Sequence, residues 1–273
     1  SYEFQHRSYC RSFEVTSQPM QPTPALQVDG VSVDLGGVEV LKDVSFSITP
    51  GNLVGVVGPN GGGKTTLFNV VAGIWPVTQG VIQINGEPIN GAIQNLAYVP
   101  QRELVNWRFP VTAADVVMHG RTRLIGWLRR PTRHDKNVVE HCLRQVDMWH
   151  RRSALVTELS GGQRQRVFVA RALAQEARLL LLDEAFSGVD VGSQEELVAI
   201  LRRLRDQDKT ILMATHDLTG LAQRFDEVVC INRHVCAYGP PDVAFTPEVL
   251  AELYGAHGVQ FSQANEPQVD QDV

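Results

Sequence analysis

A glycine-rich stretch at residues 58–66 constrains this sequence more than any other feature. It reads Gly-Pro-Asn-Gly-Gly-Gly-Lys-Thr-Thr and fits the phosphate-loop pattern G-x-x-x-x-G-K-[ST] without a mismatch. The apolar residues 53–57 before it are typical of a buried parallel strand, and residues 66–73 after it are typical of a helix that ends at glycine. This order of strand, loop and helix predicts a nucleotide site. The plainer alternative is a glycine-rich turn before an ordinary helix.

The residues of this loop have separate expected tasks. Glycines let the backbone wrap closely around an anion, so that N–H groups and the positive end of the helix point at the phosphates. Lys64 is expected to reach the β- and γ-phosphates, and Thr65 is expected to place its hydroxyl on Mg²⁺. The predicted nucleotide-binding residues of the loop are Gly58, Pro59, Asn60, Gly61, Gly62, Gly63, Lys64, Thr65 and Thr66.

Composition limits the classes of protein that fit. The 273 residues are 43% hydrophobic and 20% charged, enough for one large domain or a domain with an inserted subdomain. The net charge of -5 argues against a general positive field, so we expect no nucleic-acid partner. No apolar run approaches the roughly 18 to 20 residues of a membrane span, so a membrane role requires a partner subunit. The four cysteines form no C-x-x-C pair, which predicts a reduced, cytosolic setting.

Alternating apolar and polar residues predict β-strands around the loop. The Gly36-Gly37 pair predicts a hairpin turn, so an antiparallel β layer is expected ahead of the nucleotide loop. The Asn85-Gly86 pair predicts a second turn. The strands expected in this part of the chain are residues 26–34, 44–48, 81–84 and 96–99.

Helical patterns follow after residue 101 and predict an inserted subdomain. Helices are expected over residues 113–121 and 133–146, and Ser160 with Gln163 has the spacing of a capping box that opens another helix. The predicted domain limits are a loose leader at 1–25, a domain at 26–255 with a helical subdomain at about 103–173, and a flexible tail at 256–273.

Polar side chains follow two more apolar strands. Residues 179–182 are four leucines, and Asp183 and Glu184 come directly after them. This pattern predicts a central strand that delivers carboxylates to the carboxyl edge of the sheet. Residues 210–215 form a similar run that ends at His216. Taken alone, these acids could cap a helix or form ion pairs, and a lone histidine is more often structural.

A motif in the second half of the chain indicates which class of phosphate-loop protein the sequence resembles. Residues 159–163, Leu-Ser-Gly-Gly-Gln, match the signature of ATP-binding cassette (ABC) ATPases, and the sequence resembles this family over residues 26–255. The resemblance implies an α/β fold of the P-loop NTPase type, with a central, mostly parallel sheet, an N-terminal antiparallel β layer and an inserted α-helical subdomain. It also implies transport-coupled ATP hydrolysis, with ATP and Mg²⁺ as cofactors.

The same resemblance implies residue roles. Glu184 resembles the carboxylate that polarises the attacking water, His216 the histidine that contacts the γ-phosphate, and Gln101 the glutamine that senses Mg²⁺ and water. Lys64 completes the catalytic set. The residues implied for Mg²⁺ are Thr65, Gln101 and Asp183, the last usually through water.

The signature further implies a site shared between two copies of the chain. Ser160 and the N–H groups of Gly161, Gly162 and Gln163 open a helix, which favours anions. In the family this helix end faces the nucleotide held by the other protomer, and Asp190 resembles the aspartate that contacts the partner. The resemblance therefore implies a homodimer with ATP between the protomers.

Two positions depart from the family pattern. Leu35 stands where an aromatic residue usually stacks on adenine, and such stacking contributes roughly 1 to 3 kcal/mol per base. We therefore expect weaker base selectivity at Leu35. Ala185 stands where proline commonly follows the catalytic acid, but Glu184 is present and hydrolysis is still expected.

Other segments are similar to those of manganese, zinc and iron importers, among them residues 98–112 and 228–233. The resemblance implies an ATPase subunit that energises import of divalent metal ions, with manganese first and zinc or iron next. Trp107 and Phe109 could receive a permease helix or pack inside the helical subdomain. The alternatives kept open are a non-transport ABC ATPase and a transporter ATPase for a different substrate.

The resemblance also implies partners and location. These are membrane permease subunits, an extracytoplasmic metal-binding protein that acts indirectly, and a place at the cytoplasmic face of a bacterial inner membrane. The transported metal is not expected to bind this chain, because the sequence displays no Cys/His cluster. The histidines that lack ligand spacing are His119, His134, His141 and His150.

Overall fold

The computed structural model describes residues 23–89, 95–101, 110–126, 129–184, 189–216 and 220–255. The strands are β1 Leu26–Leu35, β2 Val38–Ile48, β3 Leu53–Val57, β4 Gln79–Ile84, β5 Glu87–Pro88, β6 Leu96–Val99, β7 Leu179–Leu182, β8 Thr210–Thr215, β9 Glu227–Ile231 and β10 Val235–Gly239. The helices are α1 Lys64–Val71, α2 Ala113–His119, α3 Thr122–Ile125, α4 Arg133–Gln145, α5 Gly161–Leu173, α6 Val191–Arg205, α7 Leu221–Arg224, α8 Pro241–Ala244 and α9 Pro247–Tyr254.

The smaller sheet is antiparallel, with strand order β2-β1-β4-β5. Its first turn holds Gly36 and Gly37 at φ of 65° and 83°, and its second holds Asn85 and Gly86 at 51° and 80°. Both turns need positive φ at two successive residues, which glycine and asparagine adopt most easily. The apolar face of this sheet packs with α1 and one face of the central sheet, so the predicted N-terminal β layer is confirmed.

The central sheet has strand order β10-β9-β3-β8-β7-β6 and is parallel except for the edge strand β10. All five residues of β3 are buried, as expected for a strand covered on both faces. Leu53 and Val57 pack with the helices on one face, whereas Val54 and Val56 pack with α1 and the antiparallel sheet. The predicted α/β fold with a mostly parallel sheet is confirmed.

The helices α2, α4 and α5 lie in sequence between the neighbouring strands β6 and β7 and pack against one another. Arg121 is 3% exposed and joins them, because its Nε lies 3.1 Å from Asp135 Oδ1 and its Nη1 lies 3.0 Å from the Ala174 carbonyl oxygen. Thr132 caps α4, and hydrogen bonds from its hydroxyl and its N–H are the main reason that the pKa of Asp135 falls to about 2. The inserted helices of the prediction are therefore present.

Some boundaries differ from the sequence patterns. The apolar spacing of Leu197, Ile200, Leu201 and Leu204 predicts a helix over residues 194–207. Helix α6 instead begins at Val191, because the Asp190 side chain accepts a hydrogen bond from the Ser193 N–H and caps it. The C-terminal strand β10 and helices α8 and α9 carry no strong periodic signal and were not predicted. The leader through residue 22 and the tail from residue 256 lie outside the described residues. The domain limits remain a prediction.

Gly120, at the end of α2, lies close to the backbone of α5. A Cβ atom added there would lie 2.2 Å from the Arg171 carbonyl oxygen, which is backbone and cannot rotate away. We expect Gly120→Ala to lower the free energy of unfolding by about 1 to 3 kcal/mol. Chemical denaturation measures this, with Gly192→Ala as the control because its nearest atom would lie at 3.5 Å. Equal stability of the two variants would contradict tight packing of α2 on α5.

Candidate functional site

Four parallel strands bring the predicted site residues to one edge of the central sheet. Gly58 follows β3, Gln101 lies two residues after β6, Asp183 follows β7, and His216 follows β8. In open α/β sheets, ligands bind at the carboxyl ends of the strands where the connections diverge. The sheet order therefore brings together residues that are far apart in sequence.

The glycine-rich loop has the conformation that its residue types predict. Gly61 and Gly63 have φ of 80° and 99°, in the region that glycine adopts most easily. Gly58 lies against β9, because a Cβ atom there would lie 2.0 Å from the Ile231 carbonyl oxygen. The Arg233 N–H donates to the Gly62 carbonyl oxygen over 2.8 Å, so the turn after β9 holds the loop in place.

Lys64 is the first residue of α1 and is 5% exposed. Its Nζ donates hydrogen bonds to the carbonyl oxygens of Gly58 at 2.8 Å and Pro59 at 2.9 Å, so the side chain folds back over the loop. Burial lowers the pKa of Lys64, and the negative charges of Glu184 and then Asp183 oppose that change. The ammonium group is thus held among carbonyl oxygens and carboxylates.

Asp183 is 1% exposed, and its Oδ1 has no hydrogen-bond partner among the described residues. Its Oδ2 accepts a hydrogen bond from the Tyr98 hydroxyl at 3.3 Å. Burial raises the pKa of Asp183, while a hydrogen bond from the Thr65 hydroxyl works in the opposite direction. A buried carboxylate oxygen without a partner, beside a threonine hydroxyl, fits the oxygen ligands that a hard divalent cation prefers.

Glu184, Gln101 and His216 form a polar group at the same edge. The Gln101 Nε2 donates to Glu184 Oε2, and His216 Nδ1 lies 4.0 Å from Glu184 Oε1. Glu184 has a φ of 47°, which is uncommon for a residue with a side chain and costs of order 1 to 3 kcal/mol. Backbone strain of this kind is typical of active sites.

A cavity of about 460 Å³ lies beside these groups. Its size is within the range of about 300 to 1,000 Å³ that is usual for small-molecule sites. The lining residues are Val40, Asn60, Gly61, Gly63, Lys64, Thr65, Thr66, Gln101, Glu184 and His216. The structure therefore brings the predicted loop and the predicted catalytic residues to one cavity.

In the N-terminal hairpin, the residue that lines the cavity is not the one that the sequence predicted to contact the base. Val40 of β2 lines the cavity and was missed by the sequence analysis, although its place on the strand after the Gly36-Gly37 turn could have indicated it. Leu35 is 38% exposed at the hairpin tip and is not among the described residues that line the cavity. Tyr98, which donates to Asp183, was also not assigned a site role from sequence.

The signature residues lie elsewhere on the same chain. The Ser160 hydroxyl accepts a hydrogen bond from the Gln163 N–H at 3.2 Å, which confirms the predicted capping box at the start of α5. Gly162 packs against α6, since a Cβ atom would lie 2.6 Å from Ser193 Cβ. Of the described residues, neither this helix end nor Asp190 lines the cavity of its own chain.

Some predicted features lie outside the described residues, namely Trp107, Phe109 and Ala185. The expectation that the chain holds no Cys/His cluster is wrong, because His234, Cys236 and Glu252 lie together at the C-terminal end of the fold. The signal that could have found it is the His-x-Cys spacing at residues 234–236, because two metal-ligating side chains two residues apart can reach the same ion.

We expect Asp183→Asn to raise the stability of the nucleotide-free protein by about 1 kcal/mol at pH 7.5, because it removes a buried charge and keeps the shape. Since the folded-state pKa of Asp183 is raised, the wild type recovers stability as the pH falls. The difference between the two proteins should therefore shrink as the pH falls through the raised pKa of Asp183 toward the ordinary range of a carboxyl group. Thermal unfolding measures it, with the exposed Asp208→Asn as control. A less stable Asp183→Asn protein at every pH would contradict this expectation.

A phosphate loop after a central parallel strand, two carboxylates after a neighbouring strand and a separate Ser-Gly-Gly helix start define a P-loop ATPase of the ATP-binding-cassette class. The sequence profile of the ABC transporter family matches residues 41–187, more than half of the chain. The chain belongs to the ABC transporter family, and it is an ATP-binding ATPase of that family. No described helix is long and apolar enough to cross a membrane.

Individual relatives agree with this assignment. The manganese transport system ATP-binding protein MntB of Halalkalibacterium halodurans is 42% identical over 90% of this chain and 98% of its own. The chelated iron transport system membrane protein YfeB of Yersinia pestis is 43% identical over 88% of this chain and 82% of its own. The zinc transport system ATP-binding protein TroB of Treponema pallidum is 39% identical over 85% and 87%.

Solved structures show the same fold. A chain described as part of a metal-chelate type ABC transporter in an inward-facing conformation has a TM-score of 0.75 at 28% identity, over 85% of this chain and 89% of that chain. The ADP conformation of MJ1267, an ATP-binding cassette of an ABC transporter, has a TM-score of 0.74 at 20% identity, over 89% and 99%. The second likeness supports the fold alone.

Proposed function

We propose that this chain is the ATP-hydrolysing subunit of a membrane importer for divalent metal ions, with manganese as the first candidate substrate. The observation that carries the proposal is 42% identity to a manganese transport ATP-binding protein over 98% of that protein's length. Iron and zinc transport proteins are similar at comparable identity, so the substrate class is a divalent transition metal. The ion itself is chosen outside this chain.

The residues of the cavity have distinct proposed roles in hydrolysis. The loop N–H groups and Lys64 hold the phosphates, and Glu184 orients and polarises the attacking water as its proton acceptor. His216 contacts the γ-phosphate, and Gln101 couples the site to the membrane subunit. The hydrogen bond from Gln101 Nε2 to Glu184 Oε2 supports the role of Glu184, because it orients the carboxylate before substrate binds.

Mg²⁺ fits the group formed by Thr65, Asp183 and Gln101. When bound, it neutralises charge on the β- and γ-phosphates. The unpartnered Oδ1 of Asp183 supports the assignment, since a carboxylate oxygen is seldom buried without a partner. Tyr98 has a proposed positioning role, because its hydroxyl bonds the other oxygen of the same carboxylate.

The catalytic unit that we propose is a homodimer with two nucleotides between the protomers. Ser160, Gly161, Gly162 and Gln163 of one copy would contact the nucleotide held by the loop of the other. Three observations support this arrangement: Ser160 is exposed, its helix end offers N–H groups, and it does not line its own chain's cavity. Asp190, which caps α6 beside this helix end, would face the partner.

The proposed location is the cytoplasmic face of the inner membrane, where the chain would bind permease subunits. An extracytoplasmic metal-binding protein would deliver the ion to the permease. We also propose that residues 26–255 form the ATPase domain and that residues from about 103 to 173 form its helical subdomain. Leu35 would contact the base only weakly.

Metal uptake tests the proposal. Cells lacking this protein are complemented with wild type, with Glu184→Gln, or with the control variant Glu140→Gln, and accumulation of Mn²⁺, Zn²⁺ and Fe²⁺ is measured. We expect Mn²⁺ uptake to be lost without the protein and restored by wild type and Glu140→Gln, but not by Glu184→Gln. Normal uptake of all three ions in cells lacking the protein would reject a role in metal import.

A further inference from the structure

Three metal-ligating side chains meet at the C-terminal end of the fold. His234 lies just before β10, Cys236 lies on β10, and Glu252 lies on α9. His234 Nε2 is 2.8 Å from Glu252 Oε1 and 3.9 Å from Cys236 Sγ. The three ligand atoms all lie within 4.8 Å of one another. None of them belongs to the nucleotide cavity.

The local structure explains why they converge. His234 lies in the bend immediately before β10 and Cys236 lies on the strand two residues later, and this turn brings His234 Nε2 to 3.9 Å from Cys236 Sγ. Helix α9 begins at Pro247, is capped by the Thr246 hydroxyl and packs against β9 and β10. The Asn232 side-chain amide donates to the Glu252 carbonyl oxygen at 3.4 Å, which positions this turn of the helix.

We propose that His234, Cys236 and Glu252 form a binding site for one Zn²⁺ ion, with water as the fourth ligand. Zinc accepts imidazole, thiolate and carboxylate ligands together, at about 2.0 to 2.3 Å. In tetrahedral geometry such bonds separate the ligand atoms by about 3.3 to 3.8 Å. Cys236 Sγ, 3.9 Å from His234 Nε2, is close to this separation from the histidine, and the histidine and glutamate atoms, 2.8 Å apart, need to move apart by about 0.5 to 1 Å. Since all three groups are partly or fully exposed, the ion has a route in.

The ligand set separates Zn²⁺ from the Mg²⁺ proposed at the nucleotide site and from Mn²⁺, the proposed transport substrate. Mg²⁺ and Mn²⁺ prefer carboxylate, carbonyl and water oxygens, whereas a thiolate with an imidazole favours Zn²⁺. We therefore expect Zn²⁺ to bind in the presence of excess Mg²⁺. The nucleotide site offers oxygen ligands such as the Asp183 carboxylate, which suit Mg²⁺ rather than Zn²⁺.

The location gives the site a connection to the nucleotide loop. His234 follows Arg233, whose N–H donates to Gly62 and whose carbonyl oxygen accepts from the Lys42 N–H, each over 2.8 Å. A metal ion at His234 would tie α9 to the same turn that supports the loop. The site thus lies where zinc binding could influence ATP binding, which goes beyond the proposed transport function and does not depend on it.

An ordinary ion pair is the competing explanation. His234 and Glu252 at 2.8 Å form one without a metal, and Cys236 would then have no part in it. The two explanations differ in what the thiol does. Substituting Cys236 should abolish tight zinc binding if the site holds a metal, and should change nothing if the contact is an ion pair.

Zinc binding to the full chain in Mg²⁺ buffer tests the proposal by equilibrium dialysis. We expect one Zn²⁺ per wild-type chain, and a loss of affinity of more than about tenfold in each of His234→Gln, Cys236→Ser and Glu252→Gln. The exposed His150→Gln is the matched control and should bind as wild type does. Cys10→Ser should also bind normally. Wild-type affinity in Cys236→Ser would overturn the proposal.

Spectroscopy on the wild type makes the test independent of how the variants fold. Co²⁺ bound in place of Zn²⁺ should show the near-ultraviolet thiolate-to-metal absorption band, and added Zn²⁺ should remove it. X-ray absorption of the zinc-loaded chain should show one sulfur ligand with nitrogen and oxygen ligands. A zinc environment without sulfur, or with more than one, would overturn the proposed ligand set even if zinc binds.

Discussion

Replacing Glu184 by glutamine is expected to reduce the rate of ATP hydrolysis by about 10²- to 10⁴-fold while ATP still binds. The Glu184 carboxylate lies at the cavity beside Gln101 and His216, where it can accept a proton from water. Glutamine keeps the shape and loses the charge and the ability to accept that proton. Phosphate release at saturating ATP measures the rate, and calorimetry measures ATP binding.

The control for this experiment is Glu140→Gln. Glu140 lies on α4 in an exposed pair with Arg144, 2.7 Å away, and such surface pairs contribute little to stability. We expect its hydrolysis rate to match that of wild type. If Glu184→Gln also hydrolyses ATP at the wild-type rate, another group accepts the proton and the assignment of Glu184 is wrong.

The same substitution tests the proposed dimer. With hydrolysis blocked and ATP present, two copies should remain associated, because the nucleotide bridges the loop of one and the Ser160 helix end of the other. Light scattering should give the mass of a dimer with ATP and of a monomer without it. A monomer under both conditions would contradict the shared site while leaving the catalytic role of Glu184 intact.

The sequence predicted the parts of the site that depend on short stretches of chain. The buried strand Leu53–Val57, the glycine loop and the strand Leu179–Leu182 each have a strong local pattern, and the structure has all three. The capping box at Ser160 is also local, because its two hydrogen bonds join residues three apart. These features need no knowledge of the rest of the fold.

Features that depend on long-range contacts were the ones missed. Tyr98 bonds Asp183 because β6 and β7 pair in a register that no local pattern specifies. Val40 reaches the cavity because the antiparallel sheet folds over the loop, and Glu252 reaches Cys236 because α9 packs back on β10. The helix end at Ser160 is a further case, since its proposed ligand belongs to a second copy of the chain.

Lys64→Met is expected to weaken ATP binding by at least about 30-fold, equivalent to about 2 kcal/mol. In the structure the buried ammonium donates to the carbonyl oxygens of Gly58 and Pro59 at 2.8 and 2.9 Å. Phosphate oxygens carry more negative charge than carbonyl oxygens, so the ammonium gains the attraction of an ion pair when it donates to a phosphate instead. Burial lowers the pKa of Lys64 because it disfavours the charged ammonium. A phosphate beside it would stabilise that charge, so the two groups attract each other strongly.

Lys209→Met is a matched control for this prediction. Lys209 is partly buried, its Nζ also donates to a backbone carbonyl oxygen, that of Ala177 at 2.7 Å, and burial also lowers its pKa. It lies outside the nucleotide cavity, so its loss should leave ATP affinity unchanged. Calorimetric titration of ATP into both variants separates the two cases. Equal affinity in Lys64→Met and wild type would mean that the other donors of the loop hold the phosphates without the lysine, and the proposed role of Lys64 would be wrong.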